Sequence, residues 1–273
     1  MNAGYECLEQ LKSDSRLSQG DVIVWEETQD FQSRAAVVVT ADCDLAKSKH
    51  WGRITVVPLV PVENYLEDIF LPKQLGSLEQ DLTALFAKAV HRALGKEVDP
   101  PTDDALESLV GLDTLPTPWD TSDQARRAHA LLRHARGLSR PATFAGALDE
   151  ALLLRSPGTK ALSASRIRTF LDNPPGDCMV LPPLPGLAPG LHVAFLRAMR
   201  EVFDTDIATK TSEAAPNLAR RIGRLVPVLR YRLTQMLAQV FSDIGLPDEY
   251  EATVKDERGK FVDSITQQQK GQA

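Results

Sequence analysis

Two aspartates that flank a cysteine are the sharpest candidate for chemistry in the chain. Asp42 and Asp44 follow an apolar run and are two residues apart, so in an extended conformation both carboxylates point to the same face. Two carboxylates on one face can share a divalent ion such as Mg²⁺. The alternative is that each carboxylate accepts hydrogen bonds from backbone amides at a turn. The pair is thus a weak candidate for a metal site.

Cys43, between the two aspartates, is a poor candidate for a nucleophile. A reactive thiol needs surroundings that favour its thiolate, whereas two flanking anions disfavour it. We therefore expect a buried structural cysteine. With Cys7 and Cys178 the chain has three cysteines and no Cys-x-x-Cys spacing, which argues against a disulfide framework and a zinc site. A reducing, cytoplasmic location and no cofactor are expected.

Two further groups of residues are candidates for binding a nucleic acid or a partner. His50 and Trp51 precede an apolar run, where an exposed ring can stack on a base or a peptide; the alternative is a turn folded over the end of a sheet. Five arginines also lie close together: Arg220, Arg221, Arg224, Arg230 and Arg232. This strip can contact RNA, DNA or an acidic surface, or it can be a solvated helix face paired with the chain's own carboxylates.

The four remaining histidines, His91, His129, His134 and His192, have no spacing typical of a metal or catalytic motif. We expect them to be core or surface residues. The chain also lacks a glycine-rich phosphate loop, a Ser-His-Asp set and a dinucleotide-binding fingerprint.

The bulk composition gives no global attraction toward nucleic acid. The 273 residues carry a net charge of -6, with 43% hydrophobic and 25% charged residues, which is ordinary for a soluble globular protein. Nucleic-acid binding relies on a basic surface, so any such contact must be local. No apolar run approaches the roughly 20 residues that cross a bilayer, and the first residues do not read as a secretion signal. Neither membrane insertion nor secretion is expected.

Short β-rich runs must position these residues. Residues 20–25, 34–40 and 53–60 are joined by polar connections and begin with a Gly-Asp turn, which is typical of a small antiparallel barrel. Residues 178–182 and 191–195 are two later β-compatible runs. Strands this short need partners, so we expect them to return to the same barrel.

Residues 19–62 resemble the MazF/PemK toxins, whose opening reads Gly-Asp-hydrophobic, a polar loop, Arg-Pro-Ala-Val-Val-Leu-Ser and a third apolar strand. In those RNA endonucleases the arginine that enters the strand and the Ser/Thr that closes it lie in the cleavage site. They correspond here to Arg34 and Thr40. A guanidinium can neutralise charge on phosphorus and a hydroxyl can position a phosphate oxygen. The resemblance implies a Src-homology-3-like barrel and a metal-independent nuclease site.

The chain departs from that toxin pattern in three places. Ala35 replaces the proline, the loop 26–33 lacks the Gly-x-Glu-x-x-Gly shape, and the strand leads into Asp42 and Asp44. These carboxylates would repel a phosphate unless a cation intervened.

Helical patterns occupy much of the remaining chain. Apolar residues from Leu78 to Ala89 recur every three or four positions, and further helices are predicted between residues 103 and 172, separated by proline-rich joints. A short helical pattern includes Leu8 and Leu11. The longest one runs from Leu218 to Ile244.

The predicted fold is therefore α+β, with a discontinuous small antiparallel barrel. The barrel comprises residues 1–69 and 176–204, a helical insertion comprises 70–175, and a C-terminal helix with a polar tail comprises 205–273.

The predicted function is that of a non-catalytic binding or adaptor protein that uses a MazF-like barrel. The chain also resembles a broad group of bacterial proteins with a Thr/Ser-x-x-Cys-Asp-Leu strand end, matched by residues 40–45, and an Arg-rich helix before Gly-Leu-Pro, matched by 220–247. Some of those proteins belong to bacterial conflict or defence systems, which implies a partner protein in a defence or toxin–antitoxin-like assembly. The alternatives are an RNA endonuclease that uses Arg34, Thr40, Asp42 and Asp44, and a non-catalytic nucleic-acid-binding regulator.

Overall fold

The computed structural model describes residues 7–11, 15–26, 28, 30–95, 99–156, 162–210, 215, 218–242, 253–257 and 260. Within these residues the protein is a mixed α+β fold with a curled, largely antiparallel sheet that forms a half-barrel. The predicted α+β class is confirmed at this level.

The sheet is built from nine strands of the described chain. They are β1 (Leu8–Glu9), β2 (Asp21–Val24), β3 (Ala35–Val38), β4 (Arg53–Pro61), β5 (Cys178–Leu181), β6 (His192–Phe195), β7 (Arg200–Phe203), β8 (Ile207–Ala208) and β9 (Ala219–Leu225). Their order is β1-β9-β2-β3-β4-β6-β5, with β7 also on β4 and β8 parallel to β9.

The helices fall into three groups along the chain. Two short ones, α1 (Phe31–Arg34) and α2 (Asp42–Ala46), flank β3. The central group comprises α3 (Val62–Tyr65), a π-helical turn (Leu66–Phe70), α4 (Leu71–Gly76), α5 (Glu79–Leu94), α6 (Asp103–Gly111), α7 (Asp123–Ala135), α8 (Phe144–Arg155) and α9 (Leu162–Asp172). The last is α10 (Pro227–Ser242).

The four helices predicted between residues 103 and 172 are present as α6 to α9. They share an apolar core with α4 and α5, in which Phe86, Leu132 and Leu148 are fully buried. The first turn of α7 is capped by Ser122, whose side chain accepts a hydrogen bond from Ala125 N.

The late strands return to the sheet that begins near residue 21. Val193 of β6 lies opposite both Val60 of β4 and Val180 of β5. The long strand β4 pairs on one side with two successive strands, with β6 near its end and with β7 near its start. This strand therefore connects two separate regions of the molecule.

The sheet buries apolar side chains on both faces. One face, with Val22, Val37 and Val57, packs against Leu233 and Met236 of α10. The opposite face is covered by α2 and β8, among other segments. Burial on both faces explains why the early strands read as continuous apolar runs rather than as alternating patterns.

The predicted C-terminal helix is wrong over its first part. Ala219–Leu225 is the strand β9, which lies between β1 and β2, and α10 begins only at Pro227. Pairing with a neighbouring strand outweighs the helical spacing of the apolar residues here. Proline suits the first turn of a helix because its missing amide has no partner there. Residues 205–273 are thus not a helix and tail alone, and the predicted end at Ile244 lies outside the described residues.

The helical pattern near the N-terminus is also wrong where the structure describes it. Leu8 and Glu9 form β1 and pair with Leu225 and Arg224 of β9. Because β9 is long, it offers a hydrogen-bonding edge to this short segment.

Candidate functional site

The four candidate catalytic residues do not meet in one cleft. Arg34 precedes β3, whereas Thr40, Asp42 and Asp44 follow it, and the extended chain between Arg34 and Thr40 spans about 20 Å. Arg34 lines one cleft together with His192, and Asp42 lines another. The geometry does not bring the arginine and the threonine to the same phosphate.

Thr40 and Asp42 bond to the backbone of neighbouring segments. Thr40 Oγ1 accepts a hydrogen bond from Thr55 N at 2.7 Å, and Asp42 Oδ1 accepts one from Gln19 N at 2.7 Å. Asp42 thus follows the alternative interpretation of its role, in which the carboxylate binds backbone amides.

Asp42 and Asp44 lie in the helix α2, so the predicted extended conformation is wrong. Residues two apart on a helix do not face each other, and the two carboxylates diverge. In the part of the chain that the structure describes, no group of three or more His, Cys, Asp or Glu residues is placed to hold a metal ion.

Cys43 is exposed, contrary to the expectation of a buried thiol. The reason is that α2 is a surface helix with no buried residue. Cys7 and Cys178 are buried. Burial raises the pKa of the Cys178 thiol to about 12, and its Sγ lies 3.0 Å from Tyr65 Oη. Cys178 is therefore a packed, unreactive thiol.

The five arginines of the predicted strip lie on two different elements. Arg220, Arg221 and Arg224 belong to β9, and Arg230 and Arg232 to α10. The interpretation as one helix face is therefore wrong.

The arginines of β9 are occupied within the protein. Asp21, which is fully buried, lies 2.6 Å from Arg224 Nε through Oδ1 and 3.2 Å from Arg221 Nη1 through Oδ2. Arg220 pairs with Glu26 at 3.1 Å. A buried carboxylate requires paired cations, so the main task of Arg221 and Arg224 is to hold β2 against β9.

The loop between α2 and β4 presents Trp51 to solvent. Its side chain is 90% exposed, the largest value among the exposed large apolar residues of the described chain. Trp51 has a φ of 54° and Ser48 a φ of 52°. Left-handed backbone at a non-glycine residue costs on the order of 1–3 kcal/mol and persists only where the surroundings enforce it. Because the Trp51 side chain is exposed, its own packing does not hold the residue in this backbone conformation.

Backbone hydrogen bonds hold this loop in one conformation. Lys49 N donates to Asp44 O at 2.9 Å, Arg53 N donates to His50 O at 2.8 Å, and Asp204 N donates to Gly52 O at 3.0 Å. The last bond joins the loop to the turn that follows β7. Trp51 is thus mounted on a preorganised loop.

The His50 ring fixes the same loop from inside. Its Nδ1 donates to Asp44 O at 3.2 Å, and its Nε2 lies 3.1 Å from Asp204 Oδ2. Both partners are acceptors, so both contacts are satisfied only when the ring carries two protons. The bond to the Asp44 carbonyl, followed by the bond to Asp204, raises the pKa of His50. His50 is thus the folded turn residue of the alternative interpretation, and Trp51 is the exposed one.

Arg53 and Phe203 extend the exposed surface beside this loop. They are direct partners across β4 and β7, the Arg53 guanidinium carbon lies 5.1 Å from the centre of the Phe203 ring, and Phe203 is 52% exposed. We call Trp51, Arg53 and Phe203 the aromatic surface. Phe203 was not predicted, although its spacing of two from the polar Glu201 places both on one face of a strand.

Comparison of the chain with protein-family models, with curated proteins and with solved structures finds no match. The MazF/PemK resemblance thus stays a prediction that rests on residues 19–62. None of the helices that the structure describes has the length and apolar character needed to cross a membrane.

Proposed function

We propose that the protein is a non-catalytic adaptor that docks a partner protein through the aromatic surface. The observation that carries this proposal is Trp51, an almost fully exposed indole on a strained and hydrogen-bonded loop. The sequence resemblance suggests the setting, a bacterial multi-protein system of the defence or toxin–antitoxin-like kind.

The residue types of the aromatic surface suit protein recognition. Tryptophan and arginine are enriched among the residues that dominate binding energy at protein interfaces. Because the loop around Trp51 is already ordered, a partner does not have to order it, and the entropic cost of association falls. The aromatic surface is therefore suited to place one anchoring ring, that of Trp51, in a pocket of the partner.

The charges around this surface favour a protein over a nucleic acid. Arg53 lies 3.2 Å from Glu201, and His50 bonds to Asp204. A phosphate chain lying against Arg53 and Phe203 would face these carboxylates, and the two exposed lysines of the loop, Lys47 and Lys49, are few against the several cations that nucleic-acid binding uses. The expected partner site is an apolar pocket for the indole, with acceptor groups at its rim for the exposed Lys47 and Lys49.

A comparison of three full-length chains tests the proposal: wild type, Trp51→Ala and, as a matched control, Tyr231→Ala. Tyr231 is 67% exposed and lies on α10, which packs on the face of the sheet opposite to α2. Proteins captured from the native host by each chain are quantified by mass spectrometry, and the captured partner is then purified and titrated. Loss of an anchoring tryptophan should weaken binding by about 2 kcal/mol or more, roughly 30-fold in Kd.

Two results would contradict the adaptor proposal. One is equal capture of every protein by all three chains. The other is binding of single-stranded RNA that falls steeply with salt and is lost in Trp51→Ala, which would favour the nucleic-acid regulator.

The nuclease alternative has its own assay. Cleavage of single-stranded RNA, measured with and without Mg²⁺, would support an enzyme only if Arg34→Ala abolished it. We expect no cleavage by either chain, because Arg34 and Thr40 lie at opposite ends of β3.

A further inference from the structure

A recess lies at the end of β4 that is remote from Trp51. It has a volume of about 590 Å³, which falls within the range of small-molecule sites. Its apolar lining includes Val24, Leu59 and Leu187, and the proline- and glycine-rich segment 186–189 forms one wall. We call it the β4-end cleft.

The polar side chains of the β4-end cleft lack partners. Arg34, Glu63 and Asn64 line it, and none of these side chains makes a hydrogen bond or an ion pair with another residue of the described chain. Arginines in the strands do have such partners, as Arg53 does with Glu201 at 3.2 Å. A cation and an anion thus stand unpaired around one recess.

A buried polar atom without a partner lies beside them. His192 lines the cleft, is only 2% exposed, and its Nδ1 has no hydrogen-bond partner. Buried polar groups almost always have partners, and this nitrogen is one of four exceptions among the described residues, with His91 Nδ1, Trp119 Nε1 and Arg200 Nε. Burial lowers the pKa of His192, against the opposing effects of the Gly190 backbone and of Glu63. The lowered pKa favours the neutral ring, and because Nδ1 itself is buried, the ring contributes no charge to the wall of the cleft.

The strand register sets the width of the cleft. Ala36 lies opposite Pro58, and Pro61 lies opposite His192. Arg34, which precedes β3, and His192 of β6 both line the cleft and therefore stand on either side of β4. Two strand spacings amount to about 10 Å, and Glu63 follows at the start of α3. The Glu63 carboxylate reaches toward the His192 side, since a Cβ added to Gly190 would lie 3.4 Å from Glu63 Oε1.

We propose that the β4-end cleft binds a short peptide with free termini. The Arg34 guanidinium takes the carboxylate, Glu63 takes the ammonium group, and apolar side chains lie against Leu59 and Leu187. This ligand site is separate from the aromatic surface and does not depend on the function proposed for that surface.

Three dipeptide probes test the assignment of each charge. Leu-Leu carries both charges, N-acetyl-Leu-Leu lacks the ammonium, and Leu-Leu-amide lacks the carboxylate. Isothermal titration of the full chain should show Leu-Leu binding about tenfold or more tightly than either derivative, as expected for a charge-assisted hydrogen bond.

Two variants then show which side chain binds which terminus of the peptide. Arg34→Ala should bind Leu-Leu and Leu-Leu-amide equally, and Glu63→Gln should bind Leu-Leu and N-acetyl-Leu-Leu equally. Both side chains are exposed, so folding should be preserved. Arg168→Ala, on the exposed side of α9, should keep the wild-type preference in full.

Absence of Leu-Leu binding at millimolar concentration would overturn the proposal. So would binding whose preference for free termini survives in both Arg34→Ala and Glu63→Gln. Either result would leave the adaptor proposal intact, because that proposal depends on Trp51.

Discussion

The two ends of β4 differ in which groups lack a partner. At the Arg53 end, the polar groups are paired and an apolar ring stands in water, as Trp51 and the His50–Asp204 contact show. At the Pro61 end, apolar walls line a recess, and Arg34 and Glu63 stand unpaired. A partner would complete the Arg53 end by burying its apolar surface, and a ligand would complete the Pro61 end by supplying charges opposite to those of Arg34 and Glu63.

This difference indicates the kind of ligand that each end can hold. A projecting ring on a rigid loop needs a partner with a pocket, which means a macromolecule. A recess with unpaired polar groups needs a molecule small enough to enter it. The middle of the strand, with Val56 and Val57 fully buried, fixes both ends to one rigid element.

The largest expected effect comes from Asp21→Asn, a change that should impair both ends of β4 by destabilising the sheet. Asp21→Asn would leave the buried Arg221 and the largely buried Arg224 without their carboxylate. Removing one partner of a buried ion pair costs about 3–5 kcal/mol, so the free energy of unfolding measured in urea should fall by that amount. Glu26→Gln is the control, since its exposed pair with Arg220 should contribute less than about 1 kcal/mol. A loss below 1 kcal/mol in Asp21→Asn would show that this triad does not hold β2 to β9.

A second comparison separates the two ends. Trp51→Ala should weaken the partner by about 2 kcal/mol or more and leave Leu-Leu affinity unchanged, whereas Arg34→Ala should do the reverse. Changes at distant sites with no shared partners usually add, so the double variant should show both losses and no more. Both titrations use the same protein preparations. A loss of Leu-Leu binding in Trp51→Ala would mean that the two ends are coupled through β4.

Trp51→Gly should separate stability from binding at the first end. Glycine accepts a positive φ without strain, and little packing is lost because the indole is exposed. After the entropy of glycine in the unfolded chain is included, the variant should be more stable by about 0.5–1 kcal/mol. Thermal unfolding would show the gain, and partner titration would show a loss as large as in Trp51→Ala. Reduced stability in Trp51→Gly would mean that the indole packs against the protein.

Much of this arrangement could be predicted from local sequence. The apolar runs that became β2, β3 and β4 are long enough and β-rich enough to identify, and the capped and proline-separated helices α6 to α9 appear where periodicity places them. The exposure of Trp51 was one of two interpretations that its position before β4 allowed. In these cases local chemistry and tertiary context agree.

The errors occur where a partner distant in sequence decides the local structure. Residues 219–225 have helical spacing, yet β2 supplies hydrogen bonds and Asp21 supplies a buried counter-ion for their arginines. Phe203 joins the aromatic surface only because β7 pairs with the start of β4. His192 reaches the cleft beside Glu63 only because β6 pairs with the end of β4. Such juxtapositions follow from strand order, and no short motif encodes them.

The smallest expected effect is a pH dependence confined to the Trp51 end. The folded protein raises the pKa of His50 above its ordinary 6.5, so the protonated ring is bound more tightly in the folded state. Its contribution is fully present below pH 6.5 and disappears as the pH rises through the raised value. Because the Asp204 side chain is 40% exposed, the contribution should stay below about 1 kcal/mol.

The free energy of unfolding of the wild type, minus that of His50→Gln, measures this contribution across neutral pH. The difference should shrink as the pH rises, and partner affinity should fall over the same interval because the loop that mounts Trp51 loosens. Up to about pH 7, Leu-Leu affinity should stay constant, because the α-amino group of the peptide has an ordinary pKa of about 7.7–8.0 and keeps its proton there. If the difference in free energy of unfolding between wild type and His50→Gln does not vary with pH, the loop is held by its backbone hydrogen bonds alone. The aromatic surface would then be equally preorganised whether His50 is charged or neutral.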